Sequence, residues 1–255
     1  MPVFAQTVSA TLSMVRATAP HAGLFTSGKK VSDMHITEGI LPVQWVATWF
    51  AVSAPFVGIG VYQVKRKKKA MPSYLPLAGM LGAAVFVFSC FPIPVIALNG
   101  MATSHPCGTG MSAVLLGPFV SVLVAAIALL IQALFLAHGG LTTLGGNIFS
   151  MGILGSFSGY FAFKLAQRSR MSLFWCGFLA GVVSDLFTYL GTSIELGLLV
   201  VNSGGSFFKA TAEIFGMFML TSQGVLCIVE GVVVGFVMVF IYKRRPSILS
   251  DLKVM

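Results

Sequence analysis

Charged side chains are scarce in this chain, and their scarcity decides its class. Only 9% of the 255 residues are Asp, Glu, Lys or Arg, whereas 56% are hydrophobic and the mean hydropathy is +0.93. Soluble globular domains carry charge on about a quarter of their residues. The composition therefore excludes a soluble protein and predicts an integral membrane protein with a single membrane domain.

Motifs for common enzymatic chemistry are also absent. No GxxxxGKS/T sequence occurs, so the chain is not expected to bind and hydrolyse ATP by itself. HExxH is missing too, because residues 35–38 supply only one histidine, which argues against a metalloprotease. The four cysteines form no CxxC pair, and no cluster of soft ligands suggests a copper pump. We expect a protein that is not an enzyme.

The basic residues lie in three short runs, at 65–69, 164–170 and 243–245, and each run directly follows an apolar stretch. This pattern is typical of the positive-inside rule, in which cytoplasmic loops carry an excess of Lys and Arg. We therefore expect all three runs in the cytoplasm, and we expect no nucleic-acid partner despite the net charge of +9.

Seven segments are long and apolar enough to span a bilayer. They are residues 41–64, 74–92, 95–117, 119–137, 147–166, 172–200 and 222–242. The break at Gly117-Pro118 follows from orientation, since one helix over 100–137 would place the second basic run outside. Residues 207–220 are predicted as a short amphipathic or re-entrant piece. The sequence thus predicts an all-α membrane protein of about seven transmembrane helices, with its mature amino terminus outside and its carboxyl terminus cytoplasmic.

Residues 34–39, Met-His-Ile-Thr-Glu-Gly, stand directly before the first apolar segment. If Met34 is the first residue, its amine, the His35 backbone nitrogen and the His35 imidazole can chelate one ion. Three coplanar nitrogens suit nickel, copper or cobalt and leave room for one more donor. An internal His35 loses the amine, so the start of the mature chain decides whether this site exists.

Residues 1–33 differ from the rest of the chain. They lack the basic and apolar regions of a secretory signal. Either the start is mis-assigned, with Met14 or Met34 as the initiator, or the segment is removed after synthesis, or it remains as a disordered tail. We predict that residues 1–33 are absent from the mature protein, that 34–243 form the transmembrane metal-binding domain, and that 244–255 form a cytoplasmic tail.

Few other residues could bind a metal. His105 lies in a glycine-rich, loop-like stretch, 102–110, where a histidine is costly in lipid unless it faces a cavity or a ligand. Cys107 is an alternative donor, although a thiolate would favour zinc or copper(I). Candidates for the entrance, or for orienting the ligands, are Glu38, Ser104, His138 and Asn147. Carboxylates within or beside apolar stretches are functional candidates by default, and here they are Asp185, Glu195, Glu213 and Glu230; we interpret Glu230 as an interhelical polar contact.

Small residues follow one strip of the first apolar segment, at Ala47, Ala51, Ala54 and Gly58. Such strips let helices approach closely in lipid. The strip either packs within this protein or forms a docking face, centred on Ala47 and Ala51, for a partner membrane protein.

Several motifs together resemble the CbiM/NikM family, the substrate-binding membrane subunits of energy-coupling-factor cobalt and nickel importers. The resemblance runs from Met34 through the last apolar segment. Its motifs are the Met-His-Ile-x-Glu-Gly start, Ser104-His105-Pro106 to Gly110, Leu115-Leu116-Gly117-Pro118, Gln132-Ala133-Leu134 and the stretch 138–145. The His-Gly-Gly-Leu-Thr-Thr sequence at 138–143 is more similar to the cobalt members than to the nickel members.

This resemblance implies a ligand set and a mechanism. The metal ligands would be Met34, His35 and His105, with the amino terminus inserted into the helical bundle. Cobalt(II) or nickel(II) would be the transported substrate, captured outside a bacterial or archaeal cytoplasmic membrane and, for cobalt, supplied to cobalamin biosynthesis. The partners would be a transmembrane coupling subunit, two ATP-binding cassette ATPases and a small accessory membrane subunit. Cys107 departs from the family, where a threonine or small residue is common, and a stand-alone permease remains a further hypothesis.

Overall fold

The structure, a computed structural model, describes residues 41–90, 93–94, 103–136, 138–201, 204–252 and 254. Most of these residues are helical. The helices are α1 (Val43–Ala70), α2 (Tyr74–Ser89), α3 (Thr109–Leu116), α4 (Pro118–Phe135), α5 (Leu144–Arg168), α6 (Leu173–Val201), α7 (Phe207–Arg244) and α8 (Pro246–Asp251). Two short strands, β1 (Ile93–Pro94) and β2 (Thr103–Ser104), pair antiparallel.

Five of the described helices, α1, α4, α5, α6 and α7, are long and apolar enough to cross a membrane, and α2 is a shorter apolar helix. The prediction of a multi-pass helical membrane protein is confirmed. Helices α5 and α7 each contain a π-helical segment, at Ile148–Gly155 and at Met219–Gln223. The second of these joins the predicted re-entrant piece to the last apolar segment, so the piece is not separate and α7 runs for 38 residues.

The predicted helix over 95–117 is wrong as a continuous span. Residues 105–108 are not helical, and α3 has eight residues, which is about 12 Å at 1.5 Å per residue. The hydrocarbon core of a bilayer is about 30 Å thick. Pro106 and Gly108, with its positive φ of 70°, disfavour a helix here. The backbone groups released in this way are bound instead by side chains of other helices.

The predicted break between α3 and α4 is confirmed. Gly117 has a φ of 90°, and Pro118 begins α4 without an amide proton to donate. The Leu116 carbonyl at the end of α3 accepts hydrogen bonds from Lys67 Nζ at 2.6 Å and from the Tyr74 hydroxyl at 3.1 Å. These bonds tie the end of α1, the start of α2 and the end of α3 together at one end of the bundle.

The three basic runs share that end of the bundle. Arg66 and Lys67 line a cleft together with Asp251 and Leu252 of the carboxyl-terminal segment, which follows directly after residues 243–245. Lys164 Nζ donates to the carbonyl of Val254 at 3.2 Å. A common end is what the positive-inside interpretation requires.

Helices α6 and α7 approach each other through glycines that sequence reasoning did not identify. A Cβ added to Gly181 would lie 2.8 Å from the Cα of Gly231, and one added to Gly177 would lie 3.0 Å from the Cα of Gly235. Each helix therefore presents two glycines, four residues apart, to the other. Small residues at this spacing allow close packing in lipid. This glycine seam, formed by Gly177 and Gly181 of α6 and by Gly231 and Gly235 of α7, brings the polar side chains of the two helices together.

Candidate metal centre

From the last residue of β2, the chain enters the bundle as a largely buried loop, residues 104–108. Pairing with β1 directs the chain inward, with Ser104 opposite Ile93. Ser104 and Cys107 are fully buried, and His105 is 1% exposed. Because these residues are not helical, their backbone amides and carbonyls need partners from elsewhere.

Tyr189 of α6 binds the backbone of His105 on both sides. Its hydroxyl accepts a hydrogen bond from the His105 amide at 2.7 Å and donates one to the His105 carbonyl at 3.1 Å. Both of these backbone polar groups are thus satisfied by one side chain. The position of His105 therefore depends on α6.

Glu230 of α7 binds the next two amides. Its Oε2 accepts from the Cys107 amide at 2.6 Å, and its Oε1 accepts from the Gly108 amide at 2.9 Å. These amides precede α3, where a carboxylate is favoured by the exposed N–H groups and by the helix dipole. Glu230 of α7 thus caps the amino-terminal end of α3. This confirms the interpretation of Glu230 as an interhelical polar contact.

A third connection begins at Ser104. The Ser104 hydroxyl donates to Gln223 Oε1, and Gln223 Nε2 donates to an oxygen of Asp185. Gln223 ends the π-helical segment of α7, and such segments frequently occur at functional sites. The predicted residue Ser104 therefore binds this network, which spans α7 and α6.

The His105 imidazole has a defined tautomer. Its Nδ1 lies 3.0 Å from the carbonyl oxygen of Pro106. A carbonyl can only accept, so Nδ1 carries the proton and Nε2 carries the lone pair that a metal would use. Ligation of a metal requires the imidazole in its neutral form.

His138 lies beside His105. The centroids of the two rings are 5.8 Å apart, and the rings meet edge to face. Burial, and then the neighbouring His105, lower the pKa of His138 to about 2. The structure therefore brings together two imidazoles from loops that are distant in sequence.

The loop of His138 closes on itself. The amide of Gly140 donates to Thr143 Oγ1 at 3.1 Å, and Asn147 Nδ2 donates to the same oxygen at 3.4 Å. The His138 amide donates to the Gln132 carbonyl at the end of α4. Asn147, predicted near the entrance, thus helps to hold this loop.

The predicted ligands Met34 and His35, and their neighbour Glu38, lie outside the described residues. The adjacent α1 packs at the same end of the bundle as His138. Ser53 of α1 donates to the Gly145 carbonyl at 2.8 Å, and a Cβ on Gly145 would lie 2.7 Å from the backbone nitrogen of Phe50. Helix α1 therefore packs against the start of α5, which follows the His138 loop in sequence.

The predicted strip of small residues on α1 is exposed. The residues of the strip are Ala47, Ala51, Ala54 and Gly58, and a Cβ on Gly58 would meet nothing within 4 Å. The buried residues of α1 are Trp49, Ser53 and Gly60. Within the described residues, the strip is therefore not buried against the rest of the chain.

Sequence reasoning missed Tyr189 and Gln223. Both are polar residues within apolar helices, and polar groups there need partners. That signal would have marked both residues as candidates, although it could not have shown that they bind the loop of His105.

Comparisons with known proteins agree on one family. The family model described as "Cobalt uptake substrate-specific transmembrane region" matches residues 35–248. The "Cobalt transport protein CbiM" of Sorangium cellulosum is 48% identical over 223 residues, which cover 87% of this chain and 96% of that protein. The protein of the same name from Geobacter sulfurreducens is 45% identical over 221 residues, covering 87% of this chain and 63% of that protein.

A solved structure has the same fold. A crystal structure of a truncated transition metal transporter superposes with a TM-score of 0.71 at 28% identity, covering 82% of this chain and 99% of that one.

Proposed function

The chain belongs to the CbiM family of cobalt-uptake membrane proteins, and from this premise we propose that it is the substrate-capture subunit of an ATP-driven, energy-coupling-factor importer of cobalt(II). It captures the ion outside the cytoplasmic membrane of a bacterium or archaeon and supplies cobalamin biosynthesis. The observation that carries this proposal is the buried imidazole of His105, whose Nδ1 lies against the Pro106 carbonyl and which stands beside His138.

In this proposal the ion is bound by the Met34 amine, the His35 backbone nitrogen and imidazole, and His105 Nε2. Four nitrogens around one ion suit cobalt(II) or nickel(II). The packing of α1 on Gly145, which follows the His138 loop, supports an amino terminus inserted at this end of the bundle. Residues 1–33 are then absent from the mature protein.

The proposed orientation has seven passes, of which the third consists of the buried loop followed by α3. The shared end of the basic runs supports a cytoplasmic placement of that end and of the carboxyl terminus. The two histidines then lie on the outer side, where the ion arrives.

In this proposal, partner subunits supply the energy for transport. The exposed Ala47 and Ala51 leave one face of α1 available to a transmembrane coupling subunit, since small residues favour close helix packing. Two ATP-binding cassette ATPases and a small accessory membrane subunit complete the transporter. Uptake that persists in cells lacking both ATPases would favour a stand-alone permease instead.

The sharpest test inserts one alanine between Met34 and His35. The insertion keeps every side chain but makes His35 the third residue, so an additional backbone nitrogen fills the plane where His105 would bind. We expect cobalt uptake to fail even if the terminus still binds metal. Amino-terminal sequencing and metal analysis of the purified parent are the control. Parent-like uptake by the insertion variant would contradict the chelate.

Cobalt and nickel are separated by competition. Uptake of radioactive cobalt is measured in cells with the partner subunits and increasing amounts of nickel. We expect cobalt to be taken up in the presence of equimolar nickel. Preferential nickel uptake would assign the chain to nickel supply.

A further inference from the structure

Three buried side chains form a cluster that the proposed amino-terminal site does not use. Donor atoms of Cys107, Asp185 and Glu230 all lie within 4.8 Å of one another. Cys107 and Asp185 are fully buried, and Glu230 is 4% exposed. Among the described residues, Asp185 Oδ1 has no hydrogen-bond partner that meets distance and angle criteria, although the Cys107 thiol interacts with this carboxyl group. A buried carboxylate oxygen that lacks a full hydrogen-bond partner is costly, and a bound cation would satisfy it.

The existing hydrogen bonds leave lone pairs on the carboxylate oxygens of the cluster that a metal ion can use. Glu230 uses one lone pair of each oxygen to bind the amides of Cys107 and Gly108, and each carboxylate oxygen offers about two. Asp185 uses one oxygen to bind Gln223. Support of the loop and binding of an ion are therefore compatible.

The spacing and the charges suit one divalent cation. Ligand atoms about 2.0–2.3 Å from a shared ion lie about 3.3–4.6 Å apart, close to the spacing found here. Two neighbouring buried carboxylates repel each other when both are ionised, and a doubly charged ion neutralises both. The donors are one sulfur and carboxylate oxygens, which differ from the nitrogen set proposed for the outer site.

The cluster lies inward of His105. Cys107 follows His105 by two residues, and the chain continues through α3 to Leu116, whose carbonyl binds Lys67 at the end with the basic runs. An ion that leaves His105 in that direction meets Cys107 first.

We propose that Cys107, Asp185 and Glu230 form a second divalent-cation site that receives the transported ion from the outer site. This inference rests on the proposed function, because the ion must first be captured at His105. The second site explains why a thiol stands beside two buried carboxylates along the inward direction.

The test uses cobalt(II) alone as the probe and the full chain in lipid nanodiscs. Equilibrium dialysis counts the bound ions, and absorption spectroscopy detects a thiolate-to-cobalt charge-transfer band, which a site made only of nitrogens lacks. We expect a second bound ion in the parent, together with this band.

Variants assign the ion to its ligands. Cys107→Ser should remove the band, whereas Cys176→Ser should keep it, because Cys176 is a buried cysteine whose thiol lies against the Met171 carbonyl instead. Asp185→Asn should reduce the count by one ion. Should that variant fail to fold, loss of the band in both Cys107→Ser and Cys107→Thr still decides the question.

His105→Ala separates this inference from the proposed function. It should remove the outer ion and keep the thiolate band. A single ion without a band in the parent, or a band that survives Cys107→Ser, overturns the second site. The proposed function then stands if the remaining ion is lost in His105→Ala. If His105→Ala leaves the ion count unchanged, the outer site itself is wrong.

Discussion

Two buried loops meet at the candidate metal centre, and they are held in opposite ways. The loop at 104–108 is bound by side chains from α6 and α7, through Tyr189, Gln223 and Glu230. In the loop at 138–143, the amide of Gly140 and the side chain of Asn147 both donate to Thr143. Within the described part of the chain, these hydrogen bonds tie the first loop to distant helices and the second loop to its neighbours in sequence.

This difference indicates where the site can respond to the rest of the protein. A shift of α6 against α7 along their glycine seam would move the supports of His105 directly. The same shift would leave the bonds from Gly140 and Asn147 to Thr143 unchanged. Movement that releases the ion is therefore expected to act through the first loop, and substitutions that weaken one loop at a time test the distinction.

The largest effect is expected from the histidines themselves. His105→Ala and, in the same way, His35→Ala should abolish cobalt uptake while the protein remains inserted, because each change removes a direct ligand. Losing a residue that only supports a ligand costs about 10–100-fold in affinity, so losing a ligand should cost more. The measurement is uptake of radioactive cobalt, with protein quantified in membranes.

His138→Ala is the matched comparison for His105→Ala. We expect reduced but measurable uptake, since His138 is proposed to shape the entrance. If His138→Ala abolishes cobalt uptake and His105→Ala leaves it near normal, the ligand belongs to the loop of His138 and not to the loop of His105.

The next largest effect is expected for Glu230→Gln. The amide that replaces the carboxylate offers one acceptor, so one of the two backbone amides of the loop loses its partner. We expect the cobalt affinity of the His105 site to fall about 10–100-fold, as for other residues that orient a ligand. Equilibrium dialysis measures the affinity, and the absorption spectrum reports whether the geometry of the bound cobalt has changed.

Glu195→Gln is its control. Glu195 is also a buried carboxylate, but its Oε2 lies against Gly146, at the start of α5, instead of against the loop of His105. The affinity of the Glu195→Gln variant for cobalt should stay close to that of the parent. Equal losses in the two variants would indicate a general effect of removing buried charge.

A smaller effect is expected for Tyr189→Phe. The change removes two hydrogen bonds to the His105 backbone and keeps the ring that packs on Phe218. At about 1 kcal/mol for each bond, affinity should fall about tenfold or more. Dialysis with cobalt(II) checks this, and Tyr62→Phe, which changes an exposed tyrosine of α1, should leave the affinity unchanged.

The smallest effect is expected for Thr143→Val. This change removes the hydroxyl that closes the His138 loop, but the bond from the His138 amide to the Gln132 carbonyl remains. We expect the free energy of unfolding to fall by about 1 kcal/mol. The affinity for cobalt should change by less than tenfold. A larger loss of affinity than in Tyr189→Phe would contradict the distinction between the two loops.

Much of the fold could be predicted because lipid imposes simple rules on sequence. Apolar length located most of the spanning helices, and Gly117-Pro118 located the break between α3 and α4. The helix predicted over 95–117 failed because apolar composition cannot show that a buried loop finds its hydrogen bonds on other helices. The same limit hid Tyr189 and Gln223, whose roles depend on contacts with residues far away in sequence.

By itself, the sequence determined that this protein lies in a membrane, which ends of its helices carry positive charge, and that His105 and His138 are candidates near a metal site. Those properties follow from composition and from local order along the chain. Only the tertiary structure decided that the two imidazoles meet 5.8 Å apart, that Glu230 holds the amides beside His105, and that Cys107, Asp185 and Glu230 converge. The physical reason is that buried polar groups must be satisfied by whichever side chains the packing of distant helices brings to them.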